Sequence, residues 1–113
     1  MPPVKLPRGE NARVEREKIT DYLLSPSHPD GAGKATFFAG YGFRVEKWEV
    51  FAEALQNHGQ THAVVKVVDS SFGSRYAIDG ILETPDGRQP LVRTVWMLDK
   101  GSTEPRLITA YPV

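Results

Sequence analysis

The chain has 113 residues, 14 of them basic and 14 acidic, so its formal net charge is zero. With 40% hydrophobic and 10% aromatic residues it reads as one globular domain around a single core, which excludes a disordered chain, and its zero net charge excludes a bulk-basic nucleic-acid coat. The absence of cysteine removes disulfides, thiolate nucleophiles and Cys-based zinc sites, and no apolar run is long enough for a membrane span. The N-terminus also lacks the apolar core of a signal peptide, so a soluble, cytoplasmic chain with no membrane partner is expected.

Residues 1–12, rich in proline and carrying Gly9 and Asn11, read as an extended arm whose Lys5 and Arg8 belong to a solvated tail. Residues 13–59 read as helical. A first amphipathic helix is expected from about Val14 to Leu24, with Ile19, Tyr22, Leu23 and Leu24 on its apolar face and Pro26 ending it. A second runs from Gly33 to Tyr41, stopped at Gly42. A third starts near Glu46, where Trp48, Phe51, Ala52 and Leu55 follow helical spacing, and Gly59 suits its C-terminal cap. Residues 60–113 read as sheet: Ala63–Val68, Ser74–Leu82, Leu91–Leu98 and Arg106–Tyr111, with a strong turn at Thr84-Pro85-Asp86-Gly87-Arg88. Links this short between successive strands require antiparallel pairing. The expected fold is therefore α+β, N-terminal helices packed on a four-stranded antiparallel meander, in one domain spanning 1–113.

No Walker loop, dinucleotide fingerprint, Gly-x-Ser-x-Gly elbow or His-Glu-x-x-His is present, and no cofactor is implied, which disfavours a small-molecule enzyme. His58 and His62 are four apart but bracket Gly59 with no carboxylate at a ligand spacing, so no metal site is expected, and His58 is assigned to the helix C-terminus as a favourable positive charge. The remaining polar residues suit a phosphodiester. His28, flanked by Pro26 and Pro29 in a stiff loop, can exchange a proton near neutral pH. Lys34, at a helix start after Gly31 and Gly33, can hold a phosphate oxygen. Arg93, Thr94, Arg106, Thr109 and Tyr111 lie on the last two strands, where a guanidinium can clamp a phosphate and hydroxyls can orient it. Alternation places Arg93 and Thr94 on opposite faces. Each also has a purely structural reading: His28 as a turn residue, Lys34 as a solvated helix residue, Arg93 as a cross-strand ion-pair partner, Thr109 as a strand former.

The segments Lys18-Ile19-Thr20-Asp21-Tyr22-Leu23-Leu24-Ser25-Pro26-Ser27-His28-Pro29, Gly31-x-Gly33-Lys34-Ala35-x-Phe37-Phe38, Phe72-Gly73-x-Arg75-Tyr76, Arg93-Thr94-Val95-Trp96 and Pro105-Arg106-Leu107-Ile108-Thr109-Ala110-Tyr111-Pro112 resemble those of an uncharacterised small bacterial domain family. That family looks like a branch of the barnase, EndoU, colicin D and RelE ribonuclease superfamily. The resemblance implies a metal-independent ribonuclease toxin that cuts RNA through attack of a ribose 2′-hydroxyl on its own phosphate, leaving a 2′,3′-cyclic phosphate. It places His28, Lys34, Arg93 and Thr109 in the catalytic set and Lys18, Thr94, Arg106 and Tyr111 in substrate binding, with the acid–base partner of His28 unnamed. The implied partners are RNA and a small cognate antitoxin or immunity protein, and exposed edge strands also allow a homodimer. The competing reading is a noncatalytic protein- or RNA-binding module of the same fold.

Overall fold

Alternating apolar residues and short polar turns between Val64 and Pro112 produce four strands, β1 (Val64–Ser70), β2 (Gly73–Ile81), β3 (Leu91–Asp99) and β4 (Arg106–Pro112). They pair antiparallel in the order β1-β2-β3-β4, the expected meander. The computed structural model describes residues 4–29 and 32–113. Ahead of the sheet lie α1 (Arg16–Lys18), continued without a break as a π-helical segment over Ile19–Leu23, then α2 (Ala32–Ala39), and α3 (Trp48–Thr61) led in by a 3₁₀ turn at Val45–Lys47. The fold is α+β, with helices first and strands afterwards.

One sheet face packs on the helices. Val92, Thr94 and Trp96 of β3, Ile78 of β2, and Leu107 and Ala110 of β4 are buried there against Ile19, Leu23, Phe38, Phe51 and Leu55. The rings of Phe43 and Phe51 stack at 4.3 Å, and Phe38 meets Phe51 at 4.8 Å, so the aromatic residues of the helical half form the centre of the core.

The N-terminal arm departs from expectation. It is not a solvated tail: Leu6, Ala12 and Val14 are buried, Val64 donates its N–H to the Val4 carbonyl at the β1 end, and Arg13 bridges Arg106 on β4. Burying those apolar side chains outweighs the entropy of ordering so short a segment. Residues 1–3 lie outside the described part.

α3 also runs past Gly59, which is not its cap. Gly59 sits inside the helix because Trp96 lies against it: a Cβ there would fall 2.7 Å from the indole carbons. Gly59→Ala should therefore destabilise the fold. Overpacking costs about 1–3 kcal/mol against about 1 kcal/mol of helix propensity gained, and a lowered thermal midpoint checks it.

His58, assigned above to a charged helix end, is instead a core residue, 1% exposed. Its Nε2–H faces the carbonyls of Val92 at 2.9 Å and Gly80 at 3.1 Å, which leaves Nδ1 to accept the Thr94 hydroxyl at 3.0 Å. The Thr94 oxygen in turn accepts the Trp96 indole N–H at 2.9 Å. The imidazole thus ties α3 to both middle strands, and burial pushes its pKa down, so it is neutral.

Candidate functional site

The other sheet face is left uncovered by the helices. Directly opposed residues on antiparallel strands share a face, so the register writes that face as cross-strand rows. Asp79, Arg93 and Tyr111 form one. Lys66, Ala77, Val95 and Thr109 form the next. Val68, Arg75, Met97 and Arg106 form the third. A bulge in β4, between the partners of Val95 and Trp96, lets both Thr109 and Arg106 share this face although they are an odd number of residues apart.

At the β4 margin the helical half reaches this face through Tyr22. The π-helical segment begins the turn: Leu24 donates its N–H to the Ile19 carbonyl, five residues back, at 2.8 Å. Ile19 and Leu23 anchor it, both fully buried, while Tyr22 between them projects toward β4. Its hydroxyl lies 3.1 Å from Thr109 Oγ1. The His28 ring stands edge-on to the Tyr22 ring at 4.9 Å, and the ammonium groups of Lys34 and Lys18 lie 5.2 and 5.4 Å from its centroid. Burial raises the phenol pKa, but Lys34 and Thr109 at the hydroxyl and the charges of Lys34 and Lys18 outweigh it, and the net pKa is below the ordinary tyrosine value. A phenol, an imidazole, a hydroxyl and two ammonium groups thus meet at one half-buried spot.

His28, Lys34, Thr109 and Lys18 are therefore brought together. Arg93 and Tyr111 lie one row further along the sheet. Arg93 is held by Asp79 through Nε at 2.6 Å and Nη2 at 2.9 Å, and the Asp79 carboxylate, then the Tyr111 hydroxyl, hold its pKa up. The guanidinium in turn holds the Asp79 carboxyl below its usual range. Arg93 is thus a fixed, charge-compensated group and its ion-pair reading is the one seen. Arg106 is likewise paired with Asp99 at 2.8 Å. Thr94 does not share the site: it is 0% exposed on the helix-covered face, its hydroxyl spent on His58 and Trp96, so it cannot meet a substrate. Gly31, expected to shape the helix start before Lys34, lies outside the described residues.

Tyr22 is the residue that sequence reasoning missed, having been placed on the apolar face of the first helix. The available signal was its hydroxyl, four residues after Lys18 and six before His28, on a helix whose other apolar residues need no polar tip.

This is an antiparallel meander with helices on one face and a polar cluster at the margin of the other. The chain belongs to the family DUF6883, described as a domain of unknown function, which matches residues 5–113. No curated protein matches it. Among solved structures it is similar to a chain of a contact-dependent growth inhibition toxin–immunity protein complex from Klebsiella pneumoniae 342, with TM-score 0.67 and 20% identity, covering 93% of this chain and 96% of that one. Likeness at that identity is a likeness of fold. Among the described residues, no helix is long and apolar enough to cross a membrane.

Proposed function

We propose that the chain is a ribonuclease toxin, and that the cluster around Tyr22 is where it cuts. The observation that carries this reading is the meeting of His28, Lys34, Lys18 and Thr109 on one phenol whose pKa is lowered. Cleavage by transesterification needs a base, an acid and positive charge at the phosphate, and the cluster contains all three. His28 takes the 2′-hydroxyl proton, and the oxygen attacks the adjacent phosphorus. The bond to the 5′-oxygen breaks, and that oxygen takes the Tyr22 proton. Lys34 and Lys18 offset the charge on the non-bridging oxygens, and Thr109 orients the phenol. Imidazolium returns its proton through water to the phenolate. Arg93, its charge offset by Asp79, lies one row away with Tyr111 beside it, where its guanidinium can contribute hydrogen-bond donors but no net charge toward the flanking strand.

The growth-inhibition complex that shares the fold supports a toxin-system role and a cognate protein partner; RNA as the substrate is inferred from the chemistry of the cluster alone. A second reading, an immunity-like or partner-binding module, has its own support in β1, an edge strand whose Val65, Val67 and Val68 are each about half exposed.

The test is incubation of total bacterial RNA with purified protein in excess EDTA, beside His28→Ala and Lys34→Ala. Discrete fragments ending in cyclic phosphate are expected, with cleavage about 10²–10⁴-fold slower in His28→Ala. Induced expression without a partner should arrest growth, relieved by His28→Ala. Intact RNA at every protein concentration, with harmless expression, would move the assignment to the partner-binding module.

A further inference from the structure

The uncovered face carries a second feature, away from the Tyr22 cluster. The row Val68, Arg75, Met97 and Arg106, together with Phe72 and Asp99, lines an open hollow of about 490 Å³. Phe72 stands at its rim in the β1–β2 turn, 77% exposed. It is the most exposed large hydrophobic side chain among the described residues, and its ring is free to stack.

The turn that carries it is firmly held. Phe72 donates its N–H to Ser70 Oγ at 3.2 Å and accepts the Lys100 N–H at 2.9 Å, and Ser70 Oγ donates to the Gly73 carbonyl at 3.0 Å. Gly73 has φ 143°, and a Cβ there would fall 2.3 Å from the Leu98 carbonyl oxygen, so only glycine lets the hairpin close against the next turn. The ring is therefore presented from a rigid base.

Charge around the hollow is unequal. Arg106 is paired with Asp99 through Nε and Nη2, which fixes its guanidinium plane. Among the described residues, no carboxylate lies within ion-pair reach of Arg75. Two guanidinium groups thus face one carboxylate, and Lys66 adds a further cation one row away. An exposed ring beside unbalanced cations is what an unpaired nucleotide requires: a flat surface for the base and positive charge for its phosphate. The hollow lies on the same sheet face as the candidate cutting site, one cross-strand row from Thr109. Met97 in its floor and Val95, which pairs with Thr109, are two residues apart on the same face of β3, about 7 Å along the strand.

Resting on the ribonuclease reading, we propose that the hollow is a nucleotide subsite, in which Phe72 stacks one unpaired base of the RNA strand flanking the cut and Arg75 holds that nucleotide's phosphate. The strand runs over the bare sheet from Thr109 toward the β1–β2 turn. A protein partner acting on the same ring is the competing occupant, and Arg75 with its unanswered charge favours the polyanion.

The test uses the full chain and a fluorescein-labelled single-stranded oligoribonucleotide with 2′-O-methyl groups throughout, which cannot be cut. Affinity is read by anisotropy over a salt series. Phe72→Ala is expected to raise Kd about 5- to 150-fold and Phe72→Trp to restore it. Arg75→Ala is expected to make the slope of log affinity against log salt shallower by about 0.7. Both side chains are exposed, and a thermal midpoint equal to wild type shows that the fold is kept. Cutting of RNA by wild type, with Phe72→Ala binding the uncleavable strand as tightly, would overturn the subsite and leave the ribonuclease reading standing. Unchanged RNA binding by Phe72→Ala with loss of a co-purified cognate protein would overturn it in favour of a protein interface. Wild type that neither binds nor cuts RNA overturns both.

Discussion

Tyr22→Phe is expected to fold as wild type does and to cut RNA about 10²–10⁴-fold more slowly, the loss falling on kcat with KM little changed. The substitution keeps the ring, and with it the edge contact to His28 and the two ammonium groups over its face. It removes only the hydroxyl, which meets both Thr109 and Lys34. The pH profile carries the sign. An acid must hold its proton, so wild-type activity should fall on the alkaline side as pH rises through the lowered Tyr22 pKa. That limb should vanish in Tyr22→Phe, whose residual activity depends on water as the acid. If the variant keeps the wild-type alkaline limb and rate, the phenol plays no part and the proton for the leaving oxygen comes from another group.

The second large effect concerns His58 and stability. His58→Ala removes the group that links α3 to Val92, Gly80 and Thr94, leaving buried polar atoms unanswered and a cavity where the ring stood. A loss of about 2–5 kcal/mol is expected, at about 4 °C of thermal midpoint per kcal/mol. In wild type the same residue makes stability pH-dependent. Its pKa is lowered in the fold from the ordinary 6.5, so below that value the unfolded chain takes up a proton that the native core refuses. Stability is full above pH 6.5 and falls toward acid, with a slope reaching about 1.4 kcal/mol per pH unit for one proton. Asp79, Asp86 and Asp99, held below the usual carboxylate value of 3.8 by Arg93, Arg88 and Arg106, act in a separate and more acidic window. Thermal unfolding between pH 7.5 and 5 should therefore fall steeply in wild type and lose most of that slope in His58→Gln. An equal slope in both would assign the acid sensitivity elsewhere.

The architecture was legible because its causes are local. Period-two alternation, the Pro85-Asp86-Gly87 turn and links too short for parallel crossovers dictate four antiparallel strands, and the spacing of Trp48, Phe51, Ala52 and Leu55 dictates a helix. Nothing local distinguishes a glycine that ends a helix from one that admits an indole, so Gly59 was misread until Trp96 lay against it. The arm was misread for a related reason: proline-rich composition speaks of its own stiffness, while its burial depends on grooves built by residues far along the chain.

The site divides in the same way. Residue chemistry alone singled out His28, Lys34 and Thr109 as groups able to act on a phosphodiester, and Arg93 and Arg106 as cations on the last two strands; Lys18 entered only through the family resemblance. Their placement depends on register and on the sheet's two faces, which chain order does not reveal. A one-residue difference sends Thr94 into the core with His58 and leaves Arg93 on the bare face, locked to Asp79 across the β2–β3 pair. Tyr22 shows the limit most plainly. On the helix it is one more apolar residue, and only the packing of α1 beside the β4 margin, 87 residues away in sequence from Thr109, turns its hydroxyl into the meeting point of the cluster. Composition and periodicity determined the elements and their order; long-range packing decided which side chains meet, because contact between distant residues is set by how faces are buried and not by what lies next in the chain.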